Sequence, residues 1–275
     1  MDNNLNKYMC NYCSSKIVTY KNIDKCPYCG KEIVDSNFEF NNYAKIIPFT
    51  KSLENAKKTY KKCVLFNPLI PLIFKKQNTV NSINKVYLPI SLNKVNINGK
   101  VEFLGKNRKD NVIHNLSYTS NFDYNNVFIN TYSNIDDNYI NNIYDYDFSL
   151  LKDIDSNYLN DIIFIDNISI DDIDKKLNKK TMNYSLITIR DNINYDLKKL
   201  EKNDMVFTNR ASFKVFVPVY LLNVEYKGKK YLFLMNGVSG KYNISLTMSI
   251  VSTVIFSIIV FSVIVLLSYL FCYFF

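Results

Sequence analysis

Cys10 and Cys13, then Cys26 and Cys29, form two Cys-x2-Cys pairs with twelve residues between them. A tight turn that presents two thiolates supplies half of a tetrahedral S4 site, and a second such turn completes it. The second pair reads Cys26-Pro27-Tyr28-Cys29-Gly30: the proline stiffens the turn and the glycine accepts the positive φ that such a knuckle often requires. The first, Cys10-Asn11-Tyr12-Cys13-Ser14, lacks that glycine and is expected to be more strained. Paired x2 spacing disfavours disulfides, the competing use of four cysteines. The spacing predicts a zinc ribbon, with Zn2+ held by Cys10, Cys13, Cys26 and Cys29. Four filled positions make this a structural site, because a catalytic zinc keeps one position open for water.

Little else has the spacing that catalysis needs. His114 is the only histidine, on a strand face with Val112, Leu116 and Tyr118 and without a ligand or triad partner. Cys63 falls on an apolar helix face and Cys272 in an apolar run, so both read as small hydrophobic groups. Gly237-Val238-Ser239-Gly240 lacks the strand–loop–helix setting of a phosphate loop and reads as a turn. Asp136, Asp137, Asp171, Asp172 and Asp174 lack the order and glycine of a calcium loop, and acids at helix starts are stabilising anyway. No enzyme is expected.

The elements around the cysteines can also be read. Lys16 to Tyr20 is β-rich and Asn22 to Asp24 turn-like, which predicts a small hairpin between the knuckles. Ile46-Ile47-Pro48-Phe49 reads as an extended apolar plug. Ser52 should cap a helix to about Val64, with Leu53, Ala56, Tyr60 and Cys63 on one face. Lys57, Lys58, Lys61 and Lys62 crowd another face, read first as solvated, then as a contact with anionic lipid, then with nucleic acid. An internal repeat aligns Tyr87-Leu88-Pro89-Ile90-Ser91-Leu92 with Phe216-Val217-Pro218-Val219-Tyr220-Leu221. Each copy runs on to a Gly-Lys ten residues after its proline and predicts a hairpin, with turns at Asn98-Gly99 and Lys227-Gly228. Val112 to Tyr118 and Val127 to Tyr132 alternate as strands. Helices are predicted from Asn138 to Leu151, from Ser156 to Phe164, and from Ser169, where Ser169-x-x-Asp172 resembles a capping box with Ile170, Ile173 and Leu177 facing a core.

The C-terminal stretch is of another kind. After Lys241 no charged residue occurs through Phe275, and Ile250 to Leu270 is long enough to cross a bilayer as a helix. Lys227, Lys229, Lys230 and Lys241 precede it, so the positive-inside tendency predicts a single-pass, tail-anchored protein of the cell membrane with its N-terminal domain in the cytoplasm. A reducing cytoplasm agrees with zinc thiolates. Ser245, Ser249, Thr253 and Ser257 recur every fourth residue, a stripe that allows helix–helix self-association. Net charge is +9 but segregated: residues 1–120 carry +11, residues 121–205 carry −7 and residues 206–275 carry +5. Such segregation reflects either contact between parts of one fold or a basic face turned to anionic lipid or nucleic acid. Residues 1–33 carry only +2, and zinc on four thiolates brings the ribbon to about zero, below the footprint of a nucleic-acid module.

Taken together, Cys10-x2-Cys13, Cys26-Pro27-Tyr28-Cys29-Gly30, Ile46-Ile47-Pro48-Phe49, Val86-Tyr87-Leu88-Pro89, Val217-Pro218-Val219-Tyr220-Leu221-Leu222-Asn223, Tyr226-Lys227-Gly228-Lys229-Lys230-Tyr231, Met235-Asn236-Gly237-Val238-Ser239-Gly240-Lys241 and the C-terminal span resemble bacterial membrane proteins carrying a transcription factor IIB-type zinc ribbon. Ser91 departs from that pattern, where the family tends to carry an aromatic. The resemblance implies no established activity and no role in transcription. The sequence therefore predicts an α+β fold: a zinc ribbon (1–36), a cytoplasmic α+β domain with two related β-hairpins (37–241) and a transmembrane anchor (242–275). Its expected function is a non-enzymatic protein-interaction or scaffold module at the cytoplasmic membrane face, with an unidentified protein partner. The alternative is a membrane-tethered nucleic-acid binder using Tyr12, Tyr20 and Tyr28 as stacking surfaces and Lys57 to Lys62 as charge.

Overall fold

The computed structural model describes residues 5–40, 44–109, 112–244 and 250–274. Strands β1 (Asn6–Met9) and β2 (Lys16–Thr19) form a hairpin whose turn is the first cysteine knuckle, and β3 (Val34–Asp35) pairs with β1. The expected hairpin between the knuckles is therefore replaced by one that the first knuckle closes. Strand β4 (Lys45–Ile46) precedes α1 (Leu53–Phe66), where Ser52 Oγ accepts from Asn55 N–H and the Asn55 side chain accepts from Ser52 N–H. Ala56, Tyr60, Cys63 and Val64 form its buried face, while Leu53 is exposed. Next come α2 (Leu72–Gln77) and two long strands, β5 (Thr79–Lys106) and β6 (Ile113–Asn130). The remainder is α3 (Asp137–Ile143), β7 (Lys152–Asp153), β8 (Ile162–Phe164), α4 (Ile170–Asp191), β9 (Leu197–Asn203), β10 (Val206–Tyr226), β11 (Lys229–Asn236), β12 (Tyr242–Ile244) and α5 (Ile250–Phe274). The fold is mixed α+β, with one twelve-stranded sheet among the described residues.

The sequence repeat becomes a pseudo-twofold at the centre of this sheet. β5 and β10 pair antiparallel with Leu88 opposite Val217, so Pro89 faces Phe216 and Pro218 faces Tyr87. A central strand normally excludes proline, which cannot donate to a ladder. Here each proline sits where one neighbour ends and the next begins. β8 runs parallel to β5 at Val86 and Tyr87, and β6 takes over from Ile90. Likewise β4 runs parallel to β10 at Val215 and Phe216, and β11 takes over from Val219. Both return strands end on a buried asparagine that turns the chain. Asn130 Oδ1 accepts from Tyr132 N–H and Asn236 Oδ1 from Val238 N–H, while Thr131 N–H and Gly237 N–H donate to the carbonyls of Pro89 and Pro218.

The two hairpins are thus related, but their turns differ. Lys227 and Gly228 both have positive φ (50° and 70°) and close β10–β11 as a two-residue loop, as a type I′ turn requires. Asn98-Gly99 is no turn: β5 runs through it. Gly99, at φ +145°, lies where the chain passes from β9 to β10, and a Cβ there would meet Asp204 O at 2.5 Å. Such a glycine marks close backbone approach inside a strand. The two strands read from 112–118 and 127–132 are one, β6, with an irregularity near Asn126 (φ 59°). The helix expected from Ser156 to Phe164 is one 3-10 turn (Tyr158–Asn160) followed by β8, whose Ile162, Ile163 and Phe164 are all buried. The helix expected from Asn138 to Leu151 is α3 plus a 3-10 turn at Phe148–Leu150. α4 matches the reading, with Ser169 Oγ accepting from Asp172 N–H and Leu177 buried, although Ile170 is exposed.

Odd positions of β10 (Val215, Val217, Val219, Leu221) pack with the ribbon and α3, while Tyr220, Leu222 and Val224 pack under α1 and α2. Strands buried on both faces need apolar residues at every position, which explains the unbroken apolar run from 215 to 222. The acidic middle and basic flanks meet within the fold: Asp161 pairs with Lys21 and Lys85, Asp153 with Lys45, Asp166 with Lys214, Asp174 with Arg210 and Asp145 with Lys241. Contact between parts of one fold accounts for this share of the segregation.

Candidate metal centre

The two knuckles have the same backbone. Ser14 N–H donates to Cys10 O and Cys10 N–H to Ser15 O; Gly30 N–H donates to Cys26 O and Cys26 N–H to Lys31 O. Ser14 takes φ +55° where Gly30 takes +71°. The first knuckle therefore places a serine in the left-handed region, the strain its sequence implies. The two turns bring all four Sγ atoms within 4.8 Å of one another, with Cys10 and Cys29 3.5 Å apart and Cys13 and Cys26 3.7 Å apart. A disulfide needs an S–S distance near 2.05 Å; these cysteines are free. Four thiolates about 2.3 Å from one ion in a tetrahedron stand about 3.8 Å apart, so the cluster fits a four-coordinate thiophilic cation. Cys10, Cys13, Cys26 and Cys29 can hold a metal ion, and no other residue is needed to close its shell.

Burial disfavours the charged form of Cys26 and pushes its thiol up; it does the same to Cys29, pushed up to about 11. At Cys10 burial is outweighed by the backbone amides of Cys13 and Tyr12, and the thiol lies below its usual value. Metal uptake at neutral pH thus displaces protons from this site.

The supports of the cluster come from far along the chain. Ser15 Oγ lies 2.9 Å from Cys13 Sγ and 2.6 Å from the Tyr132 hydroxyl, and Asn134 Nδ2 donates to both Ser15 Oγ and Cys13 O. With Cys13 a thiolate, Ser15 donates to sulfur and Tyr132 donates to Ser15, an outer shell that orients the ligand. Tyr28 OH donates to Asn134 O, and its ring meets Tyr132 edge-on. Asn84 and Asn223 both donate to Pro27 O, and Lys230 Nζ to Cys29 O. Sequence separation hid most of these partners: Tyr28, Asn223 and Lys230 lie in the motif blocks of the sequence, and nothing near Tyr132 or Asn134 marks them.

The ribbon strands are continuous with the large sheet, because β8 lies between β2 and β5: Ile17 pairs with Phe164, Val18 with Ile163, and Val86 with Ile162. A cleft of about 570 Å³ opens beside the cluster, lined by Tyr12, Tyr28, Cys29, Lys31, Tyr139 and Lys230 among others. Tyr12 is 74% exposed.

Other residues singled out fall elsewhere. His114 is half-buried on β6 against Tyr195, 5.2 Å between ring centroids. Cys63 is buried on α1. Gly237 to Gly240 form the turn between β11 and β12, and the Phe49 ring fills the space where a Gly237 Cβ would go. Asp136 caps α3, and Asp171 and Asp172 open α4. One helix among the described residues, within α5 at Thr253–Phe271, is long and apolar enough to cross a membrane, and the rest of the molecule leaves it uncovered. Ser245 and Ser249 lie outside the described residues, as does the Cys272 side chain. No family model, curated protein or solved structure matches the chain.

Proposed function

We propose that the chain is a membrane-anchored zinc-ribbon protein that acts as a non-enzymatic interaction or scaffold module at the cytoplasmic membrane face. The observation that carries this reading is the closed cluster of four sulfurs next to an exposed Tyr12 and its cleft. Zinc prefers a tetrahedral S4 set, and a filled shell has no position for substrate. The ion fixes the knuckles, and the knuckles present the surface. α5 supplies the anchor; its uncharged Thr253–Phe271 stretch of 19 residues is about 28 Å long, close to one hydrocarbon core. The lysines before it favour a cytoplasmic domain. The motif blocks that resemble the bacterial transcription factor IIB-type zinc-ribbon membrane proteins are consistent with this reading.

The nucleic-acid alternative loses support from the ribbon's own contacts. Of the three tyrosines, only Tyr12 is exposed; Tyr20 and Tyr28 are half-buried. Lys7 and Lys16 lie on the Phe38 ring, Lys31 lies on Tyr12 and Lys21 pairs with Asp161. A photo-crosslinking side chain at Tyr12 of the full-length protein in native membranes tests the reading. A discrete protein adduct, absent when the same group replaces Leu197 at the far end of the sheet, is expected. Nucleic-acid adducts, or no adduct at Tyr12, would refute it.

A further inference from the structure

A second surface feature is independent of the cysteines. On α1, Lys58, Lys61, Lys62 and Leu65 face away from Ala56, Tyr60 and Cys63 and are exposed. Beyond them Phe66 is 74% and Leu72 72% exposed, with Ile73 at 54%. Lys75 Nζ donates to Leu65 O, which ties α2 to the last turn of α1. Residues 52–78 hold six lysines and a single acid, Glu54. Isolated exposed apolar side chains need no explanation, but four large ones on two joined helices, rimmed by one sign of charge, form a patch that marks a contact.

The path of the chain says what covers it. β12 runs beside this part of the domain: Tyr242 meets Cys63 of α1, and Ile244 packs on the cluster that holds Ala56, Tyr60 and Phe74. Five residues separate Ile244 from the first residue of α5, roughly 20 Å of chain at full extension. The helix that carries the patch therefore packs against the last strand before the apolar helix. Resting on the membrane reading above, we infer that the α1–α2 surface docks on the anionic face of the bilayer that α5 enters. Leu65, Phe66, Leu72 and Ile73 sink into the interface, and the lysine heads around them meet acidic lipid while their stems lie along the apolar surface. The span alone leaves the domain free to turn; this second contact fixes which face it presents to the cytosol and leaves the cysteine cluster to a separate partner.

The chain has no tryptophan, so single substitutions make unambiguous probes. Full-length zinc-loaded Phe66→Trp would be reconstituted in vesicles whose acyl chains carry bromine, with and without an anionic phospholipid. Expected are a blue shift and loss of emission in the anionic vesicles, both abolished by adding Lys61→Glu and Lys62→Glu and weakened by salt. Phe261→Trp, within α5, reports the span itself and is expected to be quenched in every vesicle. Leu197→Trp, paired with Lys106 at the end of β5 remote from Ile83 and its partner Leu222, is expected to stay unquenched. An unquenched Phe66→Trp beside a quenched Phe261→Trp would overturn the docking and leave the span standing. Both unquenched would overturn the membrane reading and the docking with it, and equal quenching at Leu197 would show unspecific adsorption and overturn the docking alone.

Discussion

Ser14 and Gly30 answer the same backbone demand with different residues. Ser14 is exposed and takes φ +55°, so Ser14→Gly should relieve left-handed strain and raise the stability of the metal-loaded protein by about 0.5–1 kcal/mol, read from denaturant titration. Gly99→Ala should act in the opposite sense. A Cβ at 2.5 Å from the Asp204 carbonyl cannot be accommodated without moving backbone, and a loss of about 2–3 kcal/mol is expected. A third residue carries a pH signature. Lys180 lies 3.5 Å from the centre of the Phe128 ring and donates to Phe128 O, and burial pushes its amine down from 10.5 to about 8. Below pH 8 both folded and unfolded chains hold the proton, and the burial penalty is fully present. Between about 8 and 10.5 this lysine holds its proton in the unfolded chain and loses it in the folded one, so its own contribution to stability rises with pH. Lys180→Met should flatten that rise. Above pH 10 the buried Tyr87 and Tyr146, whose hydroxyls burial keeps neutral, work the other way, so the comparison is read between pH 8 and 10.

At the scale of elements, the proline gap explains why a duplicated strand can sit in the middle of a sheet. Each copy changes neighbours at its proline, and each return strand ends on a buried asparagine. Asn130 Nδ2 donates to the carbonyls of Tyr132 and Ile135, and Asn236 Nδ2 to those of Ile143 and Asp145. Asn130→Ala and Asn236→Ala should each cost about 2–3 kcal/mol, because several buried backbone groups lose their partner at once; urea denaturation checks both. Local chemistry was legible in the sequence where it acts over a few residues: the Ser52 and Ser169 caps, the Lys227-Gly228 turn and the two knuckles. It misled where tertiary contact decides. Gly99 reads as a turn residue until β9 and β10 pass over it, and Ile162 to Phe164 reads as helix until two neighbouring strands claim it. The cysteines announced themselves by spacing, whereas Ser15, Tyr132 and Asn134 came together only by folding.

For the whole molecule, the cysteine cluster and the large sheet share one hydrogen-bonded framework, because β8 pairs with the ribbon on one side and with β5 on the other. Stripping the bound ion should therefore lower the melting temperature of the sheet and ribbon in a single transition, seen in the far and near ultraviolet together; two separate transitions would mean that the ribbon unfolds alone. Ion pairs between the acidic middle and the basic flanks add orientation more than stability, since each has at least one partner open to solvent. The proposed account depends above all on the four thiolates holding zinc. The most direct test is metal analysis of the full-length protein purified without added metal, beside Cys26→Ser. One zinc per chain, with visible absorbance absent, and loss of that zinc in Cys26→Ser are predicted. Iron with sulfide absorbance, a metal-free but fully folded chain, or undiminished zinc in Cys26→Ser would contradict it.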